Sequence, residues 1–272
     1  MNIWEDIIYL LTNHLRLFID GLISTIILAI FGTVVGLFLG VFLAFGKGIT
    51  VNKDDSIIVK FLKWPIIIFC NAYSTIIRGT PMMVQAMIFK YGCQFILGIN
   101  WNLILPGKSI FNGWLFAGLI VITFNTAAYM GEIIRSGLNG VDKGQIEGAR
   151  SLGLSPIKTL FLVSLPQALR NSLPTIGNEL IVNIKDSSVL NVIGVTELFF
   201  QSGQAAIIGY KYIATYIIVA AIYLILTLLA TGTLKLIELK MDGEIIKIPF
   251  FKQKHYSETK PKIIINYEKE NE

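Results

Sequence analysis

The sequence predicts an all-α integral membrane protein of five transmembrane helices, with the N-terminus outside, the C-terminus in the cytoplasm and a helical loop on the cytoplasmic face. Three observations predict it. Hydrophobic residues make up 54% of the 272 positions and charged residues only 15%, where a soluble domain carries about 25% charged residues. Several apolar runs exceed the ~18 residues needed to span a bilayer. Lysine and arginine gather on one side of those runs, the asymmetry that fixes orientation. The runs take up most of the chain and leave no room for a large soluble domain.

From the N-terminus, Ile3 to Ile19 is amphipathic and is expected to lie in the outer interface, so 1–20 forms a segment of its own. Gly21 to Phe45 carries no charge and is the first span. It is too long for a signal-peptide core, and Glu5 and Asp6 stand where a cationic leader would be, which predicts that it is not cleaved. Gly32, Gly36 and Gly40 form a tandem GxxxG on this span, a pattern that lets helices pack closely. The second apolar region, Trp64 to Gly98, is broken at Gly79-Thr80-Pro81, because proline lacks an amide donor and clashes with the preceding turn. Part of 57–78 is expected to lie along the cytoplasmic interface or to form the broken start of span two. Span three is Gly113 to Gly131, span four begins near Thr175 and ends near Phe200, and span five is Tyr212 to Leu236.

Taking the broken region as one crossing puts 46–63, 132–173 and 235–272 on the same side, with 17 of the 23 Lys and Arg residues. The opposite side holds Arg16, Lys108 and Lys211. Two crossings would split the cations, so five spans are expected, with 21–236 as the membrane domain and 237–272 as a cytoplasmic tail. From Lys235 onward the tail sets eight lysines against seven acids, a mixed-charge, solvated segment; the net charge of +5 therefore does not point to nucleic acid. Cys70 and Cys93, with His14 and His255 in opposite terminal segments, give neither a disulfide framework nor a metal site.

The loop at 136–173 carries the most local information. Asp142 and Gln145 have the form of a capping box, and Ile146, Ala149 and Leu152 form an apolar stripe at helical spacing. Gly153 suits the left-handed conformation that closes a helix. Ser155-Pro156 reads as the N-cap and first residue of a second helix, which Pro166 is expected to end or kink. These signals describe a helix, glycine, helix elbow, a feature that on local chemistry alone suits many transporters.

Glu147-Gly148-Ala149, Gly153, and Val163-Ser164-Leu165-Pro166 nine residues further on resemble the EAA loop of ABC importer permeases, EAA-x3-G-x9-I-x-L-P. Gly148 replaces the usual alanine at a cost of roughly 1 kcal/mol of helix propensity, and Val163 replaces isoleucine. Arg78-Gly79-Thr80-Pro81 through Val84-Gln85, Ala128-Tyr129 through Glu132 and Arg135, and Lys185-Asp186-Ser187-Ser188 resemble further signatures of the polar amino acid subfamily in the same order. The resemblance implies a multi-pass permease subunit of the bacterial cytoplasmic (inner) membrane, not an enzyme. It also implies a dimer with an identical or similar chain, ABC ATPase subunits, and an extracellular or periplasmic solute-binding protein. In that family the EAA loop docks on the ATPase, which implies coupling roles for Glu147, Gly148, Ala149, Gly153, Leu165 and Pro166.

The chain has no phosphate-binding P-loop of its own. Gly107-Lys108-Ser109 has Asn102 where the first glycine belongs, so ATP and Mg are expected on the partner ATPase and no cofactor on this chain. Ionisable and polar groups at membrane depth mark candidate pathway positions. Glu197, Gln201 and Gln204 fall at i, i+4 and i+7, one face if helical, where a carboxylate and two amides could receive a cationic amino acid; water or a partner subunit would suit that face equally. The break at Gly79-Thr80-Pro81 places Thr80, Met83 and Gln85 near a pathway, since unpaired backbone survives in a membrane only beside buried protein or a water-filled cavity. Lys185 completes the candidates. Glu132 and Arg135, three residues apart, are expected to form a local ion bridge. An ion-gradient-driven secondary transporter is the alternative, and it leaves the EAA spacing unexplained.

Overall fold

The computed structural model describes residues 2–104 and 110–241, apart from the side chains of 102, 104 and 241. The Gly107-Lys108-Ser109 stretch and the tail beyond Met241 lie outside the described residues. Every regular element within them is helical. Helix α1 (Ile3–Asn13) starts at Asn2, whose side chain accepts from the Trp4 amide. The chain bends at His14, and α2 (Leu15–Gly48) begins there, so the last residues of the amphipathic stretch belong to the spanning helix. An Asp6–Lys211 ion pair and the burial of Leu10 hold α1 against the far end of the chain.

Helix α3 (Ile57–Gly79) and α4 (Met82–Leu97) meet at the Thr80-Pro81 break. Ahead of α3, Asp55 accepts from Lys63 Nζ at 2.7 Å and from the Asn52 amide at 2.9 Å. The Lys63 hydrogen bond foremost holds the Asp55 carboxyl below its usual range. After the short α5 (Trp101–Ile104) come α6 (Gly113–Asn139), α7 (Lys143–Ser151) and α8 (Pro156–Thr159). A π turn at Leu160–Ser164 leads into α9 (Leu165–Asp186), and a 3₁₀ turn at Ser187–Ile193 ends that stretch before α10 (Leu198–Gly209) and α11 (Tyr212–Met241). Among the described residues α2, α3, α6 and α11 are each long and apolar enough to cross a membrane, and the Pro156–Ile193 stretch with α10, bent by 59°, makes a fifth. The α3–α4 pair follows α6 from the level of Glu132 to that of Trp114, as a single broken crossing would.

The centre of the bundle is the pairing of α2 with α6. Successive glycines of α2 meet successive large residues of α6, Gly32 against Ile122, Gly36 against Thr126 and Gly40 against Met130, so the two helices run in parallel. A Cβ on Gly36 would lie 2.9 Å from Thr126 Cβ, and one on Gly40 would lie 2.9 Å from the Gly131 amide nitrogen. The tandem GxxxG is thus an intramolecular seam, close enough for dispersion contacts where lipid removes the hydrophobic drive. Helix α9 runs antiparallel to both, its Ala168 and Ser172 against Gly137. Helix α11 returns parallel to α2, with Leu234 over Gly177.

A buried polar triad ties three helices at mid-bundle. Asn183 of α9 donates to Thr33 of α2 at 2.9 Å and accepts from Thr126 of α6 at 3.0 Å. Bonds of this kind within membranes contribute about 0.6–1.7 kcal/mol each.

Gly40→Ala is expected to destabilise the bundle by about 1–3 kcal/mol, because its new methyl meets backbone that cannot yield. Gly48→Ala, with nothing within 4 Å, is the neutral control. Thermal unfolding of both variants in detergent measures the difference.

Candidate functional site

The elbow is built by local chemistry. The Asp142 side chain accepts from the Gln145 amide at 3.2 Å and starts α7. The helix closes where Gly153, at φ +82°, turns left-handed. Its amide donates to Arg150 O at 2.9 Å and that of Leu154 to Ala149 O at 3.2 Å, the paired bonds of a Schellman cap. Ser155 Oγ then accepts from the Lys158 amide at 3.3 Å, with Pro156 first in α8. Ala149 alone on α7 is buried; Glu147 and Gly148 are exposed, and a Cβ at Gly148 would meet nothing within 4 Å. The expected apolar stripe is shorter than its spacing suggested. Leu152 is 86% exposed, because the chain leaves the helix there and carries the side chain off the Ile146–Ala149 face.

Pro166 neither ends nor breaks its helix. It is the second residue of α9, directly after the π turn, in which the Leu165 amide reaches Leu160 O. The wider turn takes up a residue lacking an amide donor without interrupting the path from α8 into α9. Leu165 packs at the edge of the cluster formed by Ala44, Met130, Ile134 and Ile176, so the elbow is anchored in the bundle through α9.

At the α3–α4 break, Gln85 is committed to repairing the backbone. Its Nε2 lies 2.7 Å from Ile77 O, 2.9 Å from Thr80 O and 2.9 Å from Thr80 Oγ1, and its Oε1 accepts from Asn125 Nδ2 of α6 at 2.9 Å. The side chain stands in for the missing ladder and fastens the break to α6. Thr80 is exposed and its hydroxyl donates to Ile76 O at 2.8 Å; Met83 is also exposed. The cavity beside the break, about 390 Å³, is walled by Tyr73, Ile77, Thr80, Gln85, Phe89 and Phe124 and is mainly apolar.

Glu132 pairs with cations from other helices, not with Arg135. Its Oε1 receives Lys47 Nζ from α2, Ser74 Oγ at 3.0 Å and Arg78 Nη1 at 3.4 Å from α3. Arg78 also lies over the Tyr129 ring, 5.6 Å from its centroid. Tertiary packing brings these groups to the carboxylate and leaves Arg135 one turn beyond, beside a separate cleft.

The stretch at Glu197 is not continuously helical, which corrects the expected three-residue stripe. Gly194, at φ +95°, ends the 3₁₀ turn, and α10 starts only at Leu198, with Glu197 as its extended N-cap. The Glu197 carboxylate is fully buried and accepts from the Phe199 amide at 2.9 Å, the Phe200 amide at 2.8 Å and Tyr223 OH at 2.9 Å. Gln201 is half-buried and Gln204 exposed, so the carboxylate and the two amides do not present one surface. Lys185 is exposed at the end of α9. Sequence reasoning missed a further polar row on α9, Asn171, Thr175 and Asn178, all exposed and spaced i, i+4, i+7. That period was readable, but the row straddles the expected start of span four.

Gln85→Leu should cost about 1–3 kcal/mol by stranding the Ile77 and Thr80 carbonyls, read as a lower thermal midpoint. Glu197→Ala should cost roughly 0.5–2 kcal/mol through the lost cap, with discrimination between neutral and cationic solutes unchanged in an uptake assay.

A family model described as binding-protein-dependent transport system inner membrane component matches residues 56–243. The chain is 32% identical over 235 residues to a Rickettsia conorii protein provisionally named a glutamine transport system permease, covering 86% of this chain and 97% of that one. It is 34% identical over 225 residues to the arginine transport system permease protein of Bacillus subtilis, covering 83% and 92%. A crystal structure of an amino acid ABC transporter with histidines superposes with a TM-score of 0.70 at 35% identity, covering 85% of this chain and 96% of that one. An inward-facing methionine ABC transporter, with a TM-score of 0.55 at 20% identity and covering 84% and 93%, shares the fold. A capped elbow on a five-crossing bundle and a family match over most of its length make this chain a member of the binding-protein-dependent transport system inner membrane components, a multi-pass permease subunit of the inner membrane.

Proposed function

We propose that this permease carries polar amino acids and takes up the work of a separate ATPase through the α7–α8 elbow. The shape of the elbow carries the proposal. It is locked at Asp142, Gly153 and Ser155, yet α7 packs chiefly on α8 and the π turn and leaves Leu152, Ile157 and Leu162 exposed. A rigid element with an unpartnered apolar surface suits docking on another chain. A push on α7 would pass through α8 and the π turn into α9, which crosses α6 at Gly137 and α11 at Gly177. A cleft of about 700 Å³ between the elbow and the end of α2, lined by Phe45, Arg135, Ile146 and Phe161, leaves room for such a movement.

Charge supports a cytoplasmic position for this end. Lys47, Lys53, Lys60 and Lys63 gather there with Arg135, Lys143, Arg150 and Lys158, whereas Arg16 and Lys211 lie at the other end. The glutamine and arginine named for the relatives support an amino acid as solute. The polar row on α9, with Thr80 and Lys185, is the proposed wall of the path. Glu197 gives no support to a cationic preference, since its oxygens are occupied within the chain. A second permease copy, two ATPase subunits and a solute receptor complete the proposed assembly. An ion-gradient-driven carrier would have no use for the elbow, and the relatives speak against it.

Reconstitution of the permease with its ATPase and solute receptor tests the elbow. Gly153→Val forces an L side chain into left-handed backbone. Solute moved per ATP hydrolysed should fall roughly 2- to 30-fold, the span of typical coupling changes, with membrane insertion unchanged. An unaltered ratio would refute the coupling role.

A further inference from the structure

Arg135 is a cation without a counter-ion. It follows Glu132 by one turn on α6, yet its side chain makes no hydrogen bond or ion pair among the described residues. It lines the cleft of about 700 Å³ between the elbow and the end of α2, a volume within the range of small-molecule sites. Lys47 is the other cation of that lining, but its side chain is only 7% exposed and its charge is taken by Glu132. No carboxylate lines the cleft among the described residues, so Arg135 leaves it with an uncompensated positive charge.

Two further donors border the same space. Asn139 stands one turn beyond Arg135 on α6, and its side chain makes no hydrogen bond among the described residues. Ser164 of the π turn is only 6% exposed, and its hydroxyl likewise has no partner among them. A buried hydroxyl with nothing to bond is costly unless a ligand completes it.

The remaining walls are apolar. Phe45 of α2 and Phe161 of the π turn meet edge to face with centroids 5.5 Å apart, and Ile146 and Ile157 extend that wall onto α7 and α8. Ile157 is 69% exposed and Phe161 50%, so the apolar wall continues to the outer surface of the chain. The lining also runs from Ala44 to Thr50, across the end of α2 at Gly48. The cleft therefore sits where a spanning helix leaves the bilayer, at the level of lipid phosphates. A soluble anion would pair with Arg135 and leave the aromatic wall unused; plain hydrocarbon would cover the wall and leave the guanidinium unpaired. A phosphate on an acyl chain satisfies both, since the planar fork of arginine fits phosphate oxygens, and basic pockets between transmembrane helices suit anionic headgroups.

We propose that this cleft is a binding site for one anionic phospholipid of the leaflet that borders the elbow. Its phosphate sits on Arg135 with Asn139 and Ser164 as further donors, and an acyl chain lies along Phe45, Ile157 and Phe161. The lipid touches α2, α6 and the elbow together, and a hydrocarbon chain fills the space between them without bonding them to one another.

The test titrates dioleoyl phosphatidylglycerol into the purified full-length permease, stripped of lipid in a mild detergent, and reads the fraction of chains carrying lipid by native mass spectrometry. Phosphatidylglycerol should bind at least about tenfold more tightly than dioleoyl phosphatidylcholine, as one charge-assisted hydrogen bond to an uncompensated cation entails. Arg135→Gln should remove that preference. Asn139→Asp, at an exposed position, sets a carboxylate one turn from Arg135 and should weaken phosphatidylglycerol in the same way; it decides the matter if Arg135→Gln fails to assemble. Equal binding of the two lipids by the wild type, or an undiminished preference in these variants, would overturn the site. Glycerophosphoglycerol and inorganic phosphate should not displace the lipid at equal concentration, and displacement by either would overturn it in favour of a soluble anion. Addition of the ATPase subunit should leave the lipid in place; its release would overturn the proposal in favour of an acidic side chain of that subunit.

Discussion

The glycine seam between α2 and α6 sets the spacing on which the other contacts depend. Gly32, Gly36 and Gly40 present bare backbone to Ile122, Thr126 and Met130, and the two helices approach more closely than side chains would otherwise allow. At that distance Asn183 of α9 can reach Thr33 and Thr126 together, and Lys47 at the end of α2 can reach Glu132 on α6. A wider seam would separate the members of both polar groups. In lipid, where burying apolar surface gives little net drive, such fitted contacts and the hydrogen bonds they permit are the main source of association.

The same absence of water explains why several polar residues work inside the chain. The Thr80-Pro81 break frees the Ile77 and Thr80 carbonyls, and Gln85 supplies the donors while Asn125 holds its oxygen. The start of α10 leaves amides unpaired deep in the bundle, and Glu197 receives two of them together with the Tyr223 hydroxyl. Both residues have the composition of a ligand site and the geometry of a backbone repair. Glu132 differs because its partners are side chains from α2 and α3 that all meet the same carboxylate oxygen. Occupancy of individual atoms, more than residue type, separates the structural from the available groups.

The elbow is joined to the bundle by a continuous path of helix. The Schellman cap at Gly153 and the Ser155 cap make α7 and α8 one stiff piece, and the π turn lets that piece continue into α9 despite Pro166. Helix α9 in turn touches α2, α6 and α11. Through α9 the elbow is thus in packing continuity with every long helix except the lightly packed α3, which is held through Glu132 and through the Tyr73 hydroxyl on Phe124 O.

How far the sequence could be read depends on the range of each interaction. The helical membrane class, the shared end of 46–63 with 132–173 and the caps of the elbow were legible, because hydropathy, charge and capping act within a few residues, whereas the fourth crossing begins earlier than Thr175 and is bent before Leu198. The partners of Glu132, Gln85 and Glu197 were not: Lys47 lies 85 positions from Glu132, Asn125 lies 40 from Gln85 and Tyr223 lies 26 from Glu197. The Glu132–Arg135 bridge and the Glu197–Gln201–Gln204 stripe failed for the same reason, since spacing on an assumed helix cannot show where the helix starts or which foreign side chain arrives first. By itself the sequence determined that this is a five-crossing permease with an elbow. Only the tertiary structure decided which of its buried polar atoms are already taken and which remain open, because in a membrane that depends on the helix each atom faces.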